Sequence, residues 1–200
     1  MKLYYTPRAC SLAAHIALCE THLNYSLEAV NLSNKTTASG QNFYDINPKG
    51  QVPALLLDDD KTVLTEGAAV LQYIADLAPS TKLIAPVGEI ERYKIIEWLN
   101  FIATELHKNF MPLFKPSSEQ EKINAGEQLN TKLAYLEAHL KKHNYLQNDH
   151  FTIADCYLFV ILNWRQVIPN LASYPAIDSY VERISQRPAV IKAIQQENES

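Results

Sequence analysis

Cysteine is scarce in this 200-residue chain. Its three residues, Cys10, Cys19 and Cys156, are odd in number and include no CxxC spacing. That argues against a disulfide framework and fits a reducing cytoplasm. Long apolar runs are also missing. The opening residues Met1 to Pro7 carry neither an apolar core nor a small-residue cleavage site, and no later stretch is long enough to span a bilayer, so neither export nor a membrane partner is expected. Nor is there an excess of charge. The net charge is −4, and the basic residues are scattered without an aromatic–basic repeat, which excludes a nucleic-acid footprint. No internal repeat, low-complexity segment or metal site is read from the chain. What it has in quantity is apolar residues, 47% of the total, enough for the core of one large domain or two small ones.

The most informative stretch is Asn47-Pro48-Lys49-Gly50-Gln51-Val52-Pro53, where two prolines and a glycine in seven residues rule out a helix. Ala54-Leu55-Leu56-Leu57, closed by Asp58-Asp59-Asp60, has the length and borders of a short buried strand. Pro53 therefore stands at a strand entrance, where it cannot donate to a ladder, and Val52-Pro53 is a candidate cis bond. Such a bond would leave the N–H and C=O of Val52 free to pair with an extended, peptide-like ligand. An ordinary loop before a strand is the alternative reading. Next, Thr62 to Thr65 reads as a strand, Thr65-Glu66-Gly67 as a turn, and Val70, Leu71, Ile74, Leu77 and Ala78 as the apolar face of a helix. The free amides at that helix start suit an anionic ligand group, and Glu66 suits an ammonium beside it. A small peptide carrying both would fit.

Around this centre, Lys2 to Tyr5 predicts a first strand, Ser11 to Thr21 a helix with Leu12, Ile16 and Cys19 on its apolar face, and Tyr25 to Leu32 a second strand. Ser33 to Gly40 is polar and reads as a lid or rim, within which Lys35 either reaches a ligand carboxylate or is simply solvated. The order βαβ then ββα is the thioredoxin-like pattern. Pro79 to Pro86 breaks the helical period and reads as a linker, and every strong signal beyond it is helical. Ile96, Leu99, Ala103, Leu106 and Phe110 give one long helix from Glu89 to Phe110, and Leu129, Leu133, Leu136 and Leu140 another from Glu119 to about Asn144. Thr152 predicts an N-cap with Asp155 at the third helical position and Phe151 as a staple to Cys156, opening a helix apolar nearly all round. A further helix is expected from Pro175 to Arg187, and Pro188 opens a last short one.

Cys10 stands at the start of the first helix, where a helix N-terminus lowers a thiol's pKa. Ala13, three positions on, leaves it without a resolving thiol. Any exchange chemistry is therefore monothiol. The competing reading of a lone cysteine, a small buried hydrophobe, is assigned to Cys19 and Cys156. Asn100, Thr104 and His107 step by four and three and so share a polar helical face, which either faces water or faces a ligand.

Asn-Pro-Lys-Gly-Gln-Val-Pro followed by Thr-Glu-Gly resembles the glutathione site of cytosolic-type glutathione transferases. With Tyr5, Cys10 and His107 the chain is most similar to the bacterial beta class, and the likeness covers almost all of it. Gly67 departs from the serine of many classes, so backbone N–H groups must hold the ligand carboxylate there. The resemblance implies the cytosolic glutathione transferase fold, with an α/β thioredoxin-like domain over 1–78, a linker over 79–86 and an all-α domain over 87–200 that forms the electrophile pocket. It implies glutathione binding by Cys10, Lys35, Gln51, Val52, Pro53, Glu66 and Gly67, and by Asn100, Thr104, Glu105, Leu106 and His107. His107 is then the donor or base near the thiol, and Cys10 lies next to the glutathione sulfur, where a mixed disulfide would form readily. Tyr5 matches the activating tyrosine of other classes, with its role here open. The expected activity is conjugation of the glutathione thiol to apolar electrophiles, with monothiol exchange through Cys10, in a cytoplasmic homodimer with glutathione as co-substrate and no metal. The rival is a non-catalytic binding protein of the same fold.

Overall fold

The first strand, β1 (Lys2–Tyr5), becomes the middle of a five-stranded sheet, because Leu3, Tyr4 and Tyr5 are apolar on both faces and all three are buried. Helix α1 (Leu12–Thr21) crosses over to β2 (Ser26–Asn31), which pairs parallel to β1 with Leu3 opposite Leu27. Parallel neighbours require such a crossover. The other strands are β3 (Thr36–Thr37), β4 (Ala54–Leu56) and β5 (Val63–Thr65), and the sheet order is β3-β2-β1-β4-β5 with every pairing except β1–β2 antiparallel. The polar segment expected as a lid or rim thus contributes an edge strand. Helix α2 (Gly67–Asp76) follows β5 directly.

The computed structural model describes residues 1–114, 116, 118–147, 149–167 and 172–199. They form two compact units. The first runs from Met1 to Ile84 and takes in the C-terminal segment from Arg187, and the second is Ala85–Gln186. The expected grouping of the whole span 87–200 differs at its end, since the last helix, α8 (Pro188–Asn198), packs on α1. With α2 also against it and His15 beside the Tyr5 ring of β1, α1 is buried almost all round and shows no single apolar stripe. Leu83 and Ile84, expected in the linker, are buried.

In the second unit, α3 (Ile90–Phe101) passes through a π-helical segment, Ile102–His107, into α4 (Lys108–Phe114), so the expected single α-helix is interrupted over its candidate residues. Such segments occur often at functional positions. Helix α5 (Glu119–Leu140) is capped by Ser118, whose hydroxyl accepts from the Glu121 N–H. Helix α6 (Ile153–Asn163) is the core, buried from Ile153 through Leu162. Its capping box forms as expected: Thr152 Oγ1 accepts from the Ala154 N–H, and Asp155 Oδ2 accepts from the Thr152 N–H at 2.9 Å. Asp155 also accepts from Leu146 N–H and from the Tyr180 hydroxyl of α7 (Pro175–Ser185), both at 2.9 Å. Among the described residues, no helix is long and apolar enough to cross a membrane.

Candidate functional site

In the first unit, Cys10 lies in the turn between β1 and α1, just before Ser11, the residue flanking the first turn of α1. That turn is held closed locally, with Ala9 N–H on the Thr6 carbonyl at 3.0 Å and Thr6 N–H on Ser11 Oγ at 3.2 Å. It is also held from beneath. The Arg8 N–H donates to Glu197 Oε2 of α8 at 3.1 Å, while Glu197 Oε1 lies 3.1 Å from His15 Nδ1 of α1. Burial pushes His15 down, but its bonds to Cys19, Glu197 and Gln196 outweigh that and hold it up at about 9, so the ring is an imidazolium at neutral pH.

The Val52–Pro53 bond is cis, as the sequence suggested, and the Cys10 Sγ donates to the Val52 carbonyl at 3.2 Å. Burial pushes the Cys10 thiol up to about 11; the amides of Cys10 and Ser11 pull it down and lose. The helix-end effect expected from the sequence is therefore present, but this thiol loses more from desolvation than the amides at the helix start return. Cys10 is a protonated thiol at neutral pH.

The segment before Val52 is a tight turn. Gly50 N–H donates to the Asn47 carbonyl at 2.8 Å, and Asn47 Nδ2 donates to the Gln51 carbonyl at 2.7 Å. Gly50 has φ +61, and a Cβ there would lie 2.7 Å from Tyr44 Cε1, so a larger residue would be strained and would have to push the exposed Tyr44 ring aside. Lys35 is not simply solvated: its Nζ donates to the Gly50 carbonyl at 2.8 Å, fastening the β3 edge to this turn.

Ala54 pairs with Thr65, so Pro53 and Glu66 stand at the same end of adjacent strands. Glu66 has φ 69, a left-handed conformation uncommon outside glycine and concentrated where function constrains the chain. Its carbonyl accepts from Ala69 and Val70 N–H, both at 2.9 Å, which leaves the Gly67 and Ala68 amides ahead of the first helical bond. Its exposed carboxylate lies 2.5 Å from Lys49 Nζ, which also donates to Thr65 Oγ1 at 3.0 Å. Tyr5 is completely enclosed, and its hydroxyl meets no hydrogen-bond partner among the described residues, so it presents nothing to a ligand at the surface.

In the second unit, Asn100 and Thr104 are exposed and joined, Thr104 Oγ1 donating to the Asn100 carbonyl at 3.0 Å. Leu106 is a core residue, and Glu105 pairs with Lys132 of α5 at 2.8 Å, so the five residues expected to line one cleft are split between surface and core. His107 Nδ1 lies 2.7 Å from the Tyr157 hydroxyl of α6, with the ring edge-on to Trp164 at 4.9 Å. Burial pushes His107 down to about 4, so it is neutral at pH 7 and serves as a hydrogen-bonding group rather than a cation. The sequence reading missed three features: Lys49, Tyr157 as partner of His107, and the His15–Glu197 pair. Only Lys49 carried a signal, its place inside the proline–glycine turn.

The chain matches the family model "Glutathione S-transferase, N-terminal domain" over residues 1–76 and "Glutathione S-transferase, C-terminal domain" over 101–188. It is 48% identical over 199 residues to glutathione S-transferase GstA of Escherichia coli O157:H7, covering 98% of each chain. It belongs to the glutathione S-transferase family. Within that family it aligns with the bacterial beta class: the beta-class glutathione S-transferase of Sphingomonas chungbukensis superposes with TM-score 0.94 at 41% identity, covering 98% of each chain. A sphingomonad glutathione S-transferase, solved in complex with glutathione, superposes with TM-score 0.95 at 40% identity over the whole of both chains. As a member of the glutathione S-transferase family, the chain has the thioredoxin-like unit and the helical unit expected of that fold.

Proposed function

We propose that this transferase conjugates glutathione to apolar electrophiles. The observation that carries the reading is the Cys10 thiol 3.2 Å from the Val52 carbonyl, beside the cis Val52–Pro53 bond and the Glu66–Gly67 helix start. The main chain of Val52 supplies a pairing edge for the cysteinyl residue of glutathione, the Gly67 and Ala68 amides a site for the γ-glutamyl carboxylate, and Glu66 a site for its ammonium. Lys35, Gln51 and Pro53 shape the same edge. Asn100, Thr104, Glu105, Leu106 and His107 of the second unit are kept as the ligand residues that the family resemblance implies. Tyr5 is left out of the catalytic set. The glutathione complex of the sphingomonad relative supports the ligand.

In the reaction the glutathione sulfur, as thiolate, attacks the electrophilic carbon, a C–S bond forms, and the leaving group departs with its electron pair. The domain boundaries near residues 78 and 86 and a homodimeric assembly belong to the same proposal, and sedimentation velocity tests the latter. Calorimetry with glutathione, followed by turnover of a nitro-activated aryl chloride, tests the function. Binding without turnover would favour the non-catalytic rival, and absence of binding would overturn the reading altogether.

A further inference from the structure

Lys49 stands where the proposed ligand must go. Its ammonium lies 2.5 Å from Glu66 Oε1 and 3.0 Å from Thr65 Oγ1, so two oxygens at the end of β5 already hold one cation. The two ends of this contact differ in freedom. Glu66 is fixed by the left-handed turn and by the α2 amides on its carbonyl, whereas Lys49 sits at the tip of the Asn47–Gly50 turn on a flexible stem. Both side chains are more than half exposed, so the contact breaks without uncovering a buried charge.

We infer that Lys49 is an internal competitor for the ligand's α-ammonium, setting how tightly this protein holds a γ-glutamyl peptide and how strongly it prefers one with a free amino group. The inference rests on the proposed glutathione site. With Lys49 closed on Glu66, an incoming ammonium gains the carboxylate only by displacing an equal charge; with Lys49 away, it gains the carboxylate outright. Exposed ion pairs of this kind correspond to a closed-to-open ratio of about 1.4 to 5. Apparent affinity is the intrinsic affinity multiplied by the open fraction, so removing the lysine tightens binding by about two- to sixfold.

Loss of a positive charge also weakens attraction to the ligand's carboxylates, and a second ligand separates the two effects. Glutaryl-cysteinyl-glycine is glutathione without its α-ammonium, and it has no use for Glu66. The experiment is calorimetric titration of the wild type, Lys49→Met and Lys49→Arg with glutathione and with this analogue. The expected result is that the affinity ratio of glutathione to analogue rises about two- to sixfold in Lys49→Met and stays at the wild-type value in Lys49→Arg. An unchanged or falling ratio in Lys49→Met would overturn the inference, and would show instead that Lys49 is indifferent or helps to hold the γ-glutamyl end. If the wild type binds neither ligand, the proposed function has failed and the inference with it, a result distinct from binding with an unmoved ratio.

Discussion

A thiol held at about 11, against an ordinary value of 9.0, has about one-hundredth of the usual thiolate fraction at pH 7. The cause is burial around Cys10, which outweighs the amides of Cys10 and Ser11. A more basic thiolate is also a better nucleophile. With a Brønsted coefficient of 0.4–0.5, the two-unit rise returns about six- to tenfold in intrinsic reactivity, so exchange at Cys10 should run about 10 to 16 times slower than at an unperturbed thiol. Toward a free disulfide, the reactive thiol expected at a helix start is therefore a slow one. The assay is reaction with a small neutral disulfide from pH 6.5 to 10.5 in the absence of glutathione, with peptide mapping to separate Cys10 from Cys19 and Cys156. The rate at Cys10 should climb about tenfold per unit through pH 9 and show no plateau below pH 10. Restricted access lowers the whole curve but does not move its midpoint, so the midpoint decides. A plateau centred at or below pH 8.5 would refute the reasoning.

Glu66→Ala should weaken glutathione binding by about two- to fivefold in calorimetry while moving the thermal midpoint little, since its side chain is exposed and supports no buried group. Thr152→Ala removes the hydroxyl that caps Ala154 N–H and donates to Asp155, and should cost about 1 to 2 kcal/mol in urea unfolding. His15 has a folded value near 9 against 6.5. Its contribution, about 3 kcal/mol, is therefore complete below pH 6.5 and lost as pH rises through 9. Unfolding at pH 6 and pH 9.5, with the His15 ring followed by NMR, measures it, and a ring titrating near 6.5 would contradict the buried pair.

Most of the fold was legible because its signals are local. The proline–glycine turn, the Thr152–Asp155 box and the prolines at positions 175 and 188 are all written within a few residues, and each appears where the sequence placed it. The misread features depend on long-range packing. Glu197 looks like one more polar residue near the C-terminus until α8 lies against α1 and its carboxylate meets His15, 182 positions away in sequence. Leu106 is buried, as the apolar stripe from Ile96 to Phe110 has it, but the π-helical segment that carries it and His107 left no mark in that periodicity. Of the candidate site, the cis Val52–Pro53 bond and the turn at Glu66 were legible in the sequence. The protonation states were not, because they follow from burial: Cys10 and His107 both end up uncharged at neutral pH, against the expectation of a thiolate for the first.

That neutrality bears on how the proposed reaction obtains its nucleophile. Cys10, held as a neutral thiol, brings no charge to the proposed glutathione thiolate and acts on it as a hydrogen-bond donor once its S–H turns from the Val52 carbonyl. Bringing a thiol from about 8.5 down by about 1.5 units takes about 2 kcal/mol. A hydrogen bond to a charged acceptor contributes about 1.5 to 3 kcal/mol, so one or two donors suffice and no single one need be indispensable. Cys10→Ala should then shift the pH–rate profile of conjugation upward by about one unit, lowering activity near pH 6.5 about tenfold while leaving the plateau above pH 9 nearly intact. The measurement is kcat/KM for the aryl chloride from pH 5.5 to 9.5 in the wild type and Cys10→Ala. A plateau rate that collapses in the variant would mean that Cys10 acts on the chemistry itself, and a profile that does not move would mean that its S–H never reaches the sulfur.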